Sequence, residues 1–437
     1  MGRRKAYEPL AVLLNNHFVG HLSRRASGAV EFQYSSDWLE NNRALPVSLS
    51  LPLREGAFTG APVIAVFENL LPDSDQLRRM VAEKVGAAGT DAFSLLSEIG
   101  RDCVGAMQFV PENQLGDLKD TTKITSEAVD DEEIERILKN LSRAPLGIER
   151  DQAFRISVAG AQEKTALLWH DGKWHRPEGT TPTTHIFKTQ IGNISGIDLS
   201  NSVENEYYCL KLFERFGFDV NQVEMQIFGK TKALVIKRFD RLWTKNNRLI
   251  RLPQEDCCQA LSVPPTRKYE NEQGLGIKQI TQLLAGSDDP YADQLTFFKA
   301  QILNWLIGGS DAHAKNFSVF IRPGGAFQLT PLYDILSVQP HLIANELNRK
   351  QMRMSMCVGN SRHYRFDKIH GRHFVETARK SGMPDSLTKL AIEQIIGAID
   401  GALHAVELDM PKGFPEELHA AISRGVQERA RMLVGVI

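Results

Sequence analysis

An aspartate followed five residues later by an asparagine, with a second isolated aspartate downstream, constrains this chain more than any other feature. The stretch is Gly308-Gly309-Ser310-Asp311-Ala312-His313-Ala314-Lys315-Asn316-Phe317-Ser318, and the downstream partner is Leu332-Tyr333-Asp334 after an apolar run. Phosphoryl-transfer sites of the protein-kinase kind need these groups in this order. One carboxylate accepts or orients the proton of the attacking hydroxyl. An amide oxygen holds a metal, and a second carboxylate bridges that metal to the nucleotide phosphates. A fold that uses them must bring Asp311, Asn316 and Asp334 together around a polyphosphate. Asp311 with Asn316 also reads as a helix-ending loop of turn-forming residues; Asp334 in register downstream favours the catalytic reading.

At 437 residues the chain exceeds what one core usually supports, so two or three packed units are expected. Its 42% hydrophobic and 24% charged content is that of an ordinary globular protein. No apolar run approaches the roughly 18 residues that span a bilayer. Ala11-Val12-Leu13-Leu14, interrupted by Asn15-Asn16-His17, is too short for the apolar part of a signal peptide. A cytoplasmic location is expected. Cys103, Cys209, Cys257, Cys258 and Cys357 form no Cys-x-x-Cys pair, which suits reduced, buried thiols. A net charge of −1 gives no global pull towards nucleic acid, so DNA contact requires a local patch or a partner.

The pattern divides into three blocks, taken as domains 1–145, 146–255 and 256–437. In the first, residues 11–14, 30–34 and 106–110 read as strands, and Asn69 to Lys84 as a helix with Pro72 near its start. A polar, acidic stretch from Pro111 to Glu133 follows. In the second block, Phe154–Val158 and Thr165–Trp169 read as a β-hairpin joined by Ala159-Gly160-Ala161-Gln162-Glu163-Lys164. Thr184–Lys188 and Lys232–Phe239 are further strands. Asn201 to Arg215 is helical, with Asn201 as N-cap, Glu204 at the third position and Gly217 as the stop. The third block is helical over Phe297–Gly308, Leu387–Leu403 and Pro415–Leu433. The fold class expected is α+β, a two-lobed protein-kinase-like layout with a mixed α/β N-terminal lobe and a mostly helical C-terminal lobe.

Lys164-Thr165 after a glycine-containing loop suggests a Walker A motif, but Glu163 stands where the second glycine belongs and strand-like residues follow. A hairpin loop laying its N–H groups over phosphates fits better, beside the alternative of an ordinary hairpin. Lys188 at a strand exit gains weight from Glu206 on the next helix, a candidate for orienting it. His363, His370 and His373 match no zinc spacing. With Arg379 and Lys380 they form a basic, aromatic-bearing surface, read as a solvated face or a phosphate-backbone contact with DNA.

Five motifs carry a resemblance: Glu68–Ser74, Ser97–Asp102, Ile156–Thr165, Leu252–Asp256 and Gly309–Asn316. Together they resemble the HipA family, the serine/threonine kinase toxins of the bacterial HipBA persistence module, over nearly the whole chain. The resemblance implies Asp311 as catalytic aspartate, and Asn316 and Asp334 as Mg2+ ligands. It implies ATP contacts from Ala159 to Lys164, from Lys188, and from His313, Ala314, Lys315 and Tyr333. Lys237, Arg238 and Phe239 fall on the connector that meets the adenine through backbone groups. Ser157 matches the serine that family members phosphorylate in themselves. Implied partners are a HipB-type helix-turn-helix antitoxin, operator DNA bound with it, and glutamate–tRNA ligase as the protein substrate. Two rival readings are a small-molecule kinase and a catalytically inactive DNA co-repressor.

Overall fold

The protein is represented by a computed structural model that describes residues 7–117, 123–149, 154–160, 162–194 and 196–433. The chain forms two compact units. One comprises Met1–Thr189, Gln226–Thr266 and Ser318–Phe327, and the other Gln190–Met225, Arg267–Phe317 and Gln328–Ile437.

The first unit is built on antiparallel sheets. One has the strand order Phe58–Thr59, Val30–Tyr34, His17–Arg24, Leu10–Leu14, Met107–Pro111. Its inward residues, among them Val12, Leu22, Phe32 and Phe109, bury against Val66, Phe67 and Leu96 from the helices Ala61–Glu68 and Ala92–Ile99. Five adjacent strands of another sheet are Thr231–Lys237, His185–Thr189, Lys164–His170, Lys173–Pro177 and Ser126–Val129. The helix Asp131–Lys139 lays Ile134 and Leu138 against Leu167, Phe187 and Val235 from that sheet. Its Asp130 cap accepts from the Glu133 N–H at 2.9 Å, satisfying a first-turn donor.

The predicted strands lie within one or two residues of their expected positions, but three local expectations fail. The helix expected from Asn69 begins at Asp75. Asn69 instead ends the preceding helix, and the Ser74 hydroxyl caps the new one by accepting from the Leu77 N–H at 3.3 Å. Phe154–Val158 is not a strand and makes no hairpin with Lys164–His170. Both edges of Lys164–His170 are taken, by Lys173–Pro177 and His185–Thr189. The segment finds hydrogen bonds elsewhere: the Ser157 N–H donates to the Asp102 carbonyl at 3.0 Å. Finally, Asn201 precedes the helix Ser202–Arg215 as expected, yet its side chain makes no capping bond, and Glu204 accepts from Gln190 at 2.7 Å instead.

Asp102, from the Ser97–Asp102 motif, anchors a dry ion cluster in this unit. Its carboxylate accepts from Arg241 at 3.0 Å, Arg251 at 2.9 Å and Thr183 Oγ1 at 2.7 Å. Asp240 accepts from Arg238 at 2.8 Å and from the Gly105 N–H at 2.7 Å. All five ions are buried. The three guanidinium groups outweigh the burial penalty and hold the Asp102 carboxyl well below its ordinary range. Burial among like charges lowers Arg241 to about 10.

The second unit is mostly helical. The long helix Asp385–Asp409 packs on Ser202–Arg215, Pro290–Ile307 and Glu416–Leu433, and Ile277–Leu284 packs on Gly371–Ser381. Pro290–Ile307 starts seven residues before the expected Phe297, because the Asp289 side chain caps it by accepting from the Ala292 N–H at 3.1 Å. The helix Ser202–Arg215 belongs to this unit although it lies between strands of the first in sequence. Among the described residues no helix is long and apolar enough to cross a membrane.

Replacing Asp102 by alanine leaves Asp240 alone among three buried arginines. A loss of about 3–5 kcal/mol in stability is expected, read as a lowered denaturation midpoint.

Candidate phosphoryl-transfer site

The Asp311–Asn316 segment begins where the helix Pro290–Ile307 stops. Gly308 adopts φ +79°, a left-handed conformation that suits glycine, and the Gly309 N–H returns to the Asn304 carbonyl at 2.7 Å. The chain then turns tightly. The Asp311 carbonyl accepts two hydrogen bonds, from the His313 N–H and from Asn316 Nδ2, both at 2.8 Å. The Asn316 N–H closes on the His313 carbonyl at 2.9 Å. With its Nδ2 tied to the backbone, the Asn316 amide turns its oxygen away from that contact. His313, Ala314, Lys315 and Asn316 are buried, whereas the Asp311 side chain is 54% exposed. A buried turn thus presents one exposed carboxylate.

Asp334 stands beside this turn through its neighbour. The Tyr333 hydroxyl donates to the Lys315 carbonyl at 2.8 Å. On the other side, the Leu332 N–H donates to Asp219 and the Leu332 carbonyl accepts from Asn221. Asp334 itself has φ +57°, a strained backbone for a non-glycine residue. Strain of this kind is usual where a side chain must be aimed.

Sequence reasoning missed the frame that holds these segments. The Ser337 hydroxyl donates to the Ile307 carbonyl at 2.5 Å and accepts from the Gln339 N–H, while Asn205 brackets Ser337 through both its N–H and its carbonyl. Arg429, from the helix Glu416–Leu433, donates to the Leu306 carbonyl through Nε (2.9 Å) and Nη2 (2.7 Å), and to Gln339 Oε1 at 3.0 Å. A cation at the negative end of Pro290–Ile307 stabilises the last turn before the catalytic segment. Burial pushes Arg429 down to about 10. In sequence these are ordinary polar residues inside apolar helical patterns, with no spacing that marks them.

In the first unit the loop before Lys164–His170 is fastened to the Glu68–Ser74 motif. The Ser157 hydroxyl, fully buried, donates to the Leu70 carbonyl at 2.7 Å. Gly160 bridges to Pro72, and its carbonyl accepts from the Asp73 N–H at 3.2 Å. Gln162 donates to the Thr189 carbonyl at 2.9 Å, and the Lys164 ammonium to the Ala159 carbonyl at 2.9 Å. Burial raises the Glu163 carboxyl. Ala161 lies outside the described residues. Lys164 and Lys188 are direct cross-strand partners, both buried.

Arg238 is fully committed to the Asp102 cluster, so only its backbone remains for a connector role; its N–H donates to the Thr184 carbonyl at 2.9 Å. Lys237 is exposed, and Phe239 packs edge-on against Phe320. Glu206 lies buried on the helix Ser202–Arg215. Arg379 pairs with Asp385 at 3.0 Å and Lys380 donates to the Asn360 carbonyl, so both basic side chains have local partners. His363 and His373 stack at 4.1 Å, and among the described residues no group of three or more His, Cys, Asp or Glu is arranged for a metal.

Comparison with known proteins places this arrangement. Residues 156–403 match the HipA-like C-terminal domain, and residues 10–110 the HipA N-terminal domain. The chain belongs to the HipA family. The protein Y4mE of Sinorhizobium fredii, named a kinase, is 36% identical over 75% of this chain and 77% of its own length. The HipA serine/threonine-protein kinase toxin of Shewanella oneidensis is 32% identical over 75% of each chain. The solved complex of Shewanella oneidensis HipA with HipB and operator DNA superposes with a TM-score of 0.81 at 27% identity. That match covers 98% of this chain and 97% of its counterpart. The HipA-family fold is thus α+β and kinase-like.

Substituting Arg429 by methionine removes all three donors and strands the Leu306 carbonyl. Stability should fall by about 2–4 kcal/mol. Hydrogen exchange should quicken across residues 304–316 and stay unchanged in residues 10–110.

Proposed function

We propose that this HipA-family chain is an ATP- and Mg2+-dependent serine/threonine protein kinase, the toxin of a type II toxin–antitoxin module. The observation that carries the reading is the turn in which Asn316 is tied to the carbonyl of the exposed Asp311, with Tyr333, the residue before the positive-φ Asp334, bonded to Lys315 of the same turn. A general base, an amide oxygen and a second carboxylate are the donor set of a kinase site, and both oxygen ligands are the hard kind that Mg2+ prefers. When bound, Mg2+ held by Asn316 and Asp334 would neutralise charge on the transferring phosphate. Asp311 accepts the proton of the acceptor serine as its hydroxyl bonds to the γ-phosphorus and ADP leaves. Lys164, Lys188 and the backbone of residues 159–164 hold the phosphates, with the 237–239 connector on the adenine. The functional parts are 1–145, 146–255 and 256–437.

The family resemblance points to glutamate–tRNA ligase as the acceptor protein, and so to arrest of translation and persistence. A HipB-type antitoxin and operator DNA are the proposed partners, with this chain as co-repressor; the solved relative is a complex of those components. Ser157 is the proposed self-phosphorylation site. Because its hydroxyl is buried on Leu70, the loop must leave the Glu68–Ser74 motif before modification. A phosphate there bars the return, since a dianion does not fit a buried neutral contact.

Two outcomes are expected with γ-labelled ATP, Mg2+ and glutamate–tRNA ligase or a bacterial lysate. Label enters protein and not a small metabolite, and Asp311→Asn lowers the rate by about 10²–10⁴; an undiminished rate contradicts the assignment. Ser157→Ala abolishes self-labelling, and phosphate found by mass spectrometry at another residue refutes that part.

A further inference from the structure

The side chain of Asp311 already has a partner that the proposed mechanism does not use. The Tyr269 hydroxyl donates to Asp311 Oδ1 at 2.5 Å. The Tyr269 ring stands edge-on to His313, with centroids 5.0 Å apart. His313 in turn lies in the catalytic turn, its Nε2 3.8 Å from Asp311 Oδ1. The phenol therefore meets one oxygen of the carboxylate while its ring braces the turn that carries it.

The segment bearing Tyr269 is fixed. Its carbonyl accepts from the Glu272 and Gly274 N–H groups, both at 3.0 Å. Gly274 has to be glycine, because a Cβ there would lie 2.0 Å from the Arg267 carbonyl and 2.6 Å from that of Tyr269. The next residue, Glu270, is bolted to the strand Arg353–Val358: it accepts from the Cys357 N–H at 2.6 Å and from Cys357 Sγ at 3.0 Å. Arg362 adds a donor to Glu270 at 3.4 Å.

We infer that Tyr269 is a positioning residue for Asp311. A hydroxyl that donates to Oδ1 fixes the rotation of the carboxylate and leaves Oδ2 to face the acceptor hydroxyl. The pinned segment makes it a brace and not a mobile lid. The inference rests on the kinase reading above. A base held in one orientation lowers the entropy cost of reaching the near-attack geometry, and its loss slows the chemical step without touching nucleotide binding.

The test uses the full chain, γ-labelled ATP with Mg2+, and a bacterial lysate as acceptor, with rates followed against ATP concentration. In Tyr269→Phe the plateau rate should fall about 10- to 100-fold. The half-saturating ATP concentration and the thermal shift given by ADP with Mg2+ should match the wild type. Glu270→Gln, which loosens the segment from a distance, should give a smaller loss of the same kind. The double variant should lose no more than Tyr269→Phe, since both act through one contact. An unchanged or faster plateau in Tyr269→Phe overturns the inference, a faster one by showing that the phenol obstructs the base. A plateau, half-saturation and melting temperature that all worsen together also overturn it, by showing a packing role alone. If the wild type labels no protein, the kinase reading itself fails and this inference falls with it.

Discussion

The site depends on one carbonyl oxygen. That of Asp311 uses both lone pairs inside its own loop, one on the His313 N–H and one on the Asn316 amide. Five residues of spacing thereby become a single turn, in which the backbone of Asp311 orients the side chain of Asn316. A carboxamide at 316 makes this contact because it donates through nitrogen while keeping its oxygen as an acceptor; an ionised aspartate has no such donor. The spacing and the residue types have the same origin.

The rest of the second unit serves to hold that turn still. Arg429 and Ser337 satisfy the Leu306 and Ile307 carbonyls, which the helix end would otherwise leave bare. Asn205 ties the segment after Asp334 to the helix Ser202–Arg215. Tyr333 links the Asp334 segment to the turn, and Tyr269 fixes the carboxylate that the turn exposes. Apart from the exposed Tyr269–Asp311 bond, each of these contacts is a polar group buried or partly buried with its partner, so losing one partner costs more than the bond alone is worth. In the first unit, Asp102 works in a comparable way. Its carboxylate gathers the arginines of the 238–251 segment, and its carbonyl receives the Ser157 N–H at the foot of the loop before Lys164–His170.

Much of the fold was legible because it follows from periodicity. Val30–Tyr34 alternates and is a strand, and the apolar stripe of Leu387–Leu403 lies in the longer helix Asp385–Asp409. The Asp311–Asn316 spacing was legible because it is local. Contacts between distant segments were not. Phe154–Val158 has strand-like residues, yet its hydrogen bonds go to Asp102 and Leu70, 50 or more residues away in sequence, and no local pattern records that. The capture of the Arg238 side chain by Asp102 was not legible either, being a contact across 136 residues. Tyr269 and Arg429 escaped for the same reason, since a hydrogen bond across tens or hundreds of residues leaves no periodic mark.

The central claim is that Asn316 and Asp334 together hold the nucleotide's divalent cation beside Asp311. A crystal structure of the protein with a non-hydrolysable ATP analogue and Mn2+, located by its anomalous signal, tests it most directly. The account predicts a manganese peak bonded to Asn316 Oδ1 and an Asp334 carboxylate oxygen and to the phosphates, with the γ-phosphate facing Asp311. A bound nucleotide whose metal is held by other side chains, with Asn316 or Asp334 turned away, would contradict it.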